Sequence, residues 1–101
     1  MTFKSLQFIN ILRNFQTMSK KLRNDTLINA IALELGELRA TLSLSQEFVY
    51  NDLGIHIGRI ETGSTNLSVS TLDVLLKYYD ISFSEFFKQV EERLNPTDGL
   101  S

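Results

Sequence analysis

From Leu27 onward the apolar residues recur three and four positions apart, in short runs cut by serines and glycines, and that spacing selects helices. Ile28, Ile31, Leu35, Leu38 and Leu42 make one continuous stripe, the first core helix. Gly36 lies off that stripe, where it weakens the helix by up to ~1 kcal/mol relative to Ala without breaking it. Ser45 stands as an N-cap ahead of Gln46-Glu47-Phe48-Val49-Tyr50, so a short second helix starts there. Asn51, Asp52 and Gly54 then supply turn chemistry. Leu53, Ile57 and Ile60, at spacings of four and three, predict a third short helix whose other face bears His56, Gly58 and Arg59, closed by Gly63 as a C′ glycine. Ser70 with Asp73 resembles a capping box, flanked by Val69 and Val74 in the staple positions. Ser82 with Glu85 is a full box, with Ile81 and Phe86 as its staple. The stripes behind them are Leu72, Leu75, Leu76, Tyr79 and Phe83, Phe86, Phe87, Val90, Leu94. No stretch alternates with period two. The expected fold class is all-α with five helices.

At 101 residues, 43% of them hydrophobic, the chain holds one domain with a core that needs no staple. It has no cysteine, which removes disulfides, thiolate metal sites and thiol chemistry together. Residues 1–25 read as a basic amphipathic extension, 26–95 as the domain, and 96–101 as a tail closed by Pro96 and Gly99. Within the extension Phe8, Leu12, Phe15 and Leu22 fall on one side of a helix, and Leu6, Ile9, Ile11 and Met18 spread around it. That pattern suits a protein partner or a dimer contact as well as packing on the domain. Met18 followed by Ser19, Lys20 and Lys21 also reads as an ordinary protein start. The net charge is −2, divided unevenly: Lys4, Arg13, Lys20, Lys21 and Arg23 oppose Asp25 alone in the first 26 residues, and acids dominate thereafter. No apolar stretch reaches the ~20 residues that cross a bilayer, and the N-terminus lacks a signal-peptide core, so no membrane partner and a cytoplasmic location are expected. One histidine, no cysteine and no phosphate-cradling glycine loop leave no acid-base or nucleophilic constellation. The expectation is no enzyme, with no catalytic residue, metal or cofactor.

Leu38-Arg39, Leu44-Ser45-Gln46-Glu47, Ile57-Gly58-Arg59-Ile60-Glu61-Thr62-Gly63 and Ser70-Thr71-Leu72, in this order, resemble the Cro/repressor (XRE) helix-turn-helix family of transcriptional regulators. The resemblance covers roughly residues 27–87, and the segment from Gly54 to Glu61 looks closest to a Bacteroidetes-like subgroup. It implies a lambda-repressor-like DNA-binding domain whose partners are double-stranded DNA and a second copy of the chain. One departure stands out, because family members place about three more residues between the opening Gln and the Glu that ends the recognition helix. Gln46 and Glu61 are only fifteen apart. At ~1.5 Å rise per residue this is nearly one turn, lost either from helix two or from the connection to helix three.

A recognition helix buries one side and offers the other to the major groove. Residues 53–62 suit that division. Arg59 is the best candidate for a base contact, since a guanidinium donates two bonds to guanine O6 and N7; the alternative is a surface arginine paired to an acid or a phosphate. His56 suits a base edge or plain solvation. Gly54 and Gly58 admit either close approach to DNA or close packing on helix two, and Ile55 either a thymine methyl or the edge of the core. The resemblance implies that Gln46 bonds a phosphate, as does the loop Ser64, Thr65, Asn66, which lacks the family's usual lysines. It also implies that Arg39 and Glu61 form a structural ion pair. The aromatic set Phe83, Phe86, Phe87, Tyr78 and Tyr79 is expected to divide between core and a dimer face. The competing reading is an antitoxin-like or other protein-interaction module that retains the fold, engaging its partner through the N-terminal segment.

Overall fold

The computed structural model describes residues 24–96, and within them the chain is all-helical. The elements are α1 (Asp25–Thr41), α2 (Gln46–Leu53), α3 (Ile57–Glu61), α4 (Val69–Tyr78) and α5 (Phe83–Leu94). The expected N-terminal helix over 3–22 and the tail beyond Pro96 lie outside the described residues.

Four of the five helices open on a side-chain cap; α3 follows His56, which makes no side-chain capping bond. Asn24 Oδ1 accepts the Leu27 N–H at 3.0 Å to open α1, and Ser45 Oγ accepts the Phe48 N–H at 2.9 Å to open α2. Ser82 Oγ does the same for Glu85 at 3.1 Å, opening α5. The cap of α4 corrects the sequence reading: it is Ser68, whose Oγ accepts the Thr71 N–H at 3.1 Å, and not Ser70. Starting two residues earlier puts Leu67 and Leu72 in the staple positions, where both reach the core. Val69 and Val74, the expected staple, are exposed.

Three helix ends share one geometry. After α1, α3 and α4 the residues Ser43, Gly63 and Asp80 take positive φ (59°, 76° and 61°). The two amides that follow each cap turn back onto the last turn: Ser43 to Ala40 and Leu44 to Arg39, Gly63 to Ile60 and Ser64 to Arg59, Asp80 to Lys77 and Ile81 to Leu76. Each is a Schellman motif, satisfying carbonyls the helix leaves unpaired. Only the second uses glycine. Leu42, expected on the α1 stripe, instead forms the C-cap and is exposed.

The core is assembled from Leu35 of α1, Val49 of α2, Ile57 and Ile60 of α3, Leu72, Leu75 and Leu76 of α4, and Phe86 and Val90 of α5. α1 is the hub, packing on both α5 and α3. It also carries the one buried charged residue among those described, Glu34, which sequence reasoning missed. Arg93 near the end of α5 answers it, with Nε donating to Glu34 Oε1 at 2.9 Å and Nη2 to Glu37 Oε1 at 2.6 Å. These carboxylates hold the Arg93 guanidinium above its ordinary range. Of the aromatic set, Phe86 and Tyr79 are core. Tyr78 donates its hydroxyl to Asp52 at 2.9 Å, and Phe83 lies exposed, stacked on Phe87 at 6.3 Å.

Candidate nucleic-acid interface

α2 ends at Gly54, whose φ of 73° is left-handed and whose N–H donates to the Tyr50 carbonyl at 2.7 Å. Gly54 therefore terminates α2 and does not sit in the third helix, so the helical cost expected there does not arise. Leu53 likewise belongs to α2. Its four-residue spacing to Ile57 joins two helices that face one core across a turn, Gly54-Ile55-His56. The Gln46-to-Glu61 interval divides into eight residues of α2, three that connect and five of α3. At 1.5 Å per residue α3 is about 7.5 Å long.

The inner side of α3 is anchored by Ile57 and Ile60, both buried, and by a polar network at its end. Arg39 from α1 donates Nε to Glu61 Oε2 at 2.7 Å and Nη2 to Oε1 at 2.9 Å, a bidentate pair. Its Nη1 donates to the Leu44 carbonyl at 2.7 Å, securing the loop into α2. Gln46 of α2 adds Nε2 to Glu61 Oε1 at 2.8 Å. One carboxylate thus ties three helices. The bonded carboxylate raises the Arg39 pKa, outweighing the opposing effect of burial. Gly36 faces this pair, and a Cβ there would make ordinary van der Waals contact with Glu61 Oε1 at 3.5 Å. Tyr79 is buried nearby, its hydroxyl without a partner among the described residues and its pKa pushed up to about 12 by burial first and the Glu61 carboxylate second.

The outer side of α3 is open. Arg59 is exposed and has no carboxylate within ion-pair distance among the described residues. His56, also exposed, stacks on Tyr50 of α2 with centroids 4.9 Å apart. Gly58 packs toward α2, where a Cβ would meet Gln46 Oε1 at 3.4 Å, and Ile55 is half-buried against the core. Thr62 and Ser64 both bond the Arg59 carbonyl, at 2.9 and 3.1 Å.

The structure gathers Ile55, His56, Arg59, Thr65 and Asn66 around one shallow groove of about 330 Å³. Ile60 and Leu67 form its floor with Ser68 and Thr71 beside them; the last two were not anticipated, and the Ser68-x-x-Thr71 capping spacing was the available signal. Gln46 and Gly58 lie instead on the α2 side of His56, in a second shallow groove with Glu47 and Tyr50. Gln46 is engaged with Glu61 through its amide nitrogen, the atom a phosphate would need. The charge on this surface is sparse, for no lysine or arginine occurs between Glu61 and Ser68. Among residues 24–96 only Arg39, Arg59, Lys77, Lys88 and Arg93 are basic, against eleven acids. Some of those charges pair away from this surface, Glu34 and Glu37 sharing Arg93 and Asp73 meeting Lys77.

Comparison with family models, curated proteins and solved structures gives no match to this chain. Among the described residues there is no group of side chains suited to a metal ion, and no helix is long and apolar enough to cross a membrane.

Proposed function

We propose that the chain is a sequence-specific DNA-binding transcriptional regulator of the Cro/repressor type, with a lambda-repressor-like domain working in the cytoplasm. α2 lies across the phosphate backbone and α3 enters the major groove. The observation that carries this reading is the exposed Arg59, without a carboxylate partner among the described residues, on the outer side of a short helix whose inner side is fixed by Arg39, Glu61 and Gln46. A guanidinium held on such a support suits the O6 and N7 of guanine, and His56 and Thr65 beside it suit a second base or a phosphate. A second copy of the chain presents the same helix to a paired half-site about one DNA turn away.

The sparse positive charge sets the expected salt dependence. Each neutralised phosphate contributes about −0.9 to the slope of log K against log salt, so with Arg59 on a base and no lysine in the adjoining loop the described residues predict a shallow slope. The test is binding of the full chain to the DNA upstream of its own gene at two salt concentrations, beside Arg59→Ala. The substitution is expected to cost about 1–3 kcal/mol and relax preference at one base position. Absence of binding even at low salt overturns the proposal. The excess of acids and the loop without lysine favour a second reading, an antitoxin-like protein-interaction module, and that outcome would select it.

A further inference from the structure

Adjoining the groove beside α3 across Thr65, Asn66 and Ser68, an apolar groove of about 230 Å³ opens between α1, the start of α4 and α5. Leu27, Ile28 and Ile31 line it from α1, Leu67 and Val69 from the α4 side, and Phe87 from α5. Val69 is 75% exposed, more than any other large apolar side chain described, although it borders the hydrophobic core. Since an apolar cavity of about 150 Å³ holds benzene, this groove has room for a phenyl ring with an aliphatic neighbour.

We propose that the occupant is residues 3–22 of the same chain, folded back in cis so that side chains from the set Phe8, Leu12, Phe15 and Leu22 fill the groove. Connectivity is the first argument. The segment joins α1 at Asn24, and Leu27 and Ile28, on the groove wall, follow within one turn. A tether this short holds the segment at an effective concentration of about millimolar, with no partner to recruit. Chemistry is the second, because Phe8, Leu12, Phe15 and Leu22 have the spacing of one helical side, which complements a groove with a mostly apolar lining. Length is the third: twenty helical residues reach about 30 Å, ample to cross it. Charge is the fourth. The segment holds Lys4, Arg13, Lys20 and Lys21 with no acid, Arg23 follows it, and the described body is strongly acidic. This docking does not rest on the DNA-binding reading, although Thr65, Asn66 and Ser68 border both grooves.

Methyl and aromatic NMR on the full chain tests the docking, with two variants that leave the helical body intact. Leu12→Ser/Phe15→Ser alters only the segment. Val69→Lys alters an exposed position at the groove and repels the segment. Expected are ring-to-methyl contacts from Phe8 or Phe15 to Ile28, Ile31 or Val69, lost in both variants, with the Val49 and Leu75 methyls unmoved. Chymotrypsin should cut after Phe8, Leu12 or Phe15 about tenfold faster in Val69→Lys, because cleavage follows the population of the open form. A sample mixing labelled and unlabelled chains should show these contacts within one chain. Contacts only between chains would assign the groove to a second copy, and no contacts, or unchanged cleavage, would remove the segment as occupant; each of these overturns the proposal.

Discussion

Removing Arg39 should cost more stability than any other single polar substitution on the α1–α3 side. In Arg39→Ala, Glu61 loses both guanidinium bonds and keeps only Gln46 Nε2, and the Leu44 carbonyl loses its donor as well. The side chains of Arg39 and Glu61 are 18% and 9% exposed, so the pair lies between the surface and the buried regimes. Exposed pairs contribute about 0–1 kcal/mol, and breaking a fully buried one costs about 3–5 kcal/mol. An intermediate loss of about 2–3 kcal/mol follows. A body of this size is worth roughly 4–11 kcal/mol in total, so the variant still folds but is visibly weakened. Urea unfolding of the full chain, followed by helical circular dichroism, should show the midpoint falling by about 2 M if m is about 1 kcal/mol/M. A double-mutant cycle with Glu61→Ala should return a coupling of about 2 kcal/mol. A single-variant loss under about 1 kcal/mol with a coupling indistinguishable from zero would refute the claim that this carboxylate ties α3 to α1.

Two glycines with the same backbone should respond differently to alanine. Gly54→Ala has open space and should lose only the left-handed penalty of about 1 kcal/mol, whereas Gly63→Ala also drives its methyl into the Asn29 side chain and should lose about 2–3 kcal/mol in thermal melts. Conversely, Ser43→Gly, at a left-handed position held by a residue with a Cβ, should gain about 0.5 kcal/mol in the same assay. Tyr79 links stability to alkaline pH. Its folded pKa of about 12 lies above the unfolded value of about 10, so its contribution is full below pH 10 and is lost as pH rises from 10 to 12. Tyr79→Phe should flatten that decline and be neutral or stabilising by up to about 1 kcal/mol at pH 7, because it deletes a hydroxyl buried without a partner; a loss above 1 kcal/mol at pH 7 would mean the hydroxyl is bonded after all.

Most of the helical punctuation was legible in the sequence because a cap is a local event. Ser45, Ser82 and Gly63 each act on neighbours within a few residues, and the apolar periods around them say which side is inward. The reading failed where two local solutions were equally good. Ser68 and Ser70 both stand ahead of the α4 stripe, and what separates them is whether Leu67 or Val69 meets a core built from other helices. Leu53 was misplaced for a related reason: Leu53, Ile57 and Ile60 keep helical spacing although the backbone turns between the first two. Glu34 and Arg93 were invisible as a pair, since 59 positions separate them and nothing local marks a carboxylate as buried. Around Arg59 the sequence supplied the groove residues His56, Thr65 and Asn66. It could not reveal that the amide nitrogen of Gln46 is already bonded to Glu61.

The five-residue α3 bears on how much information such a surface can extract from a genome. At about 7.5 Å it spans little more than two base steps of 3.4 Å, so two or three side chains at most address base edges. Two base pairs read fully occur by chance about once in 16 positions, and a symmetric pair of such helices raises this only to about once in 256. Against about 10⁶ or more competing sites, that is far too permissive to mark a unique address. On the DNA-binding reading, selectivity must then come from the deformability of the spacer between half-sites or from several copies aligned on clustered sites, and the search for an operator should look for repeated short words and not for one long one.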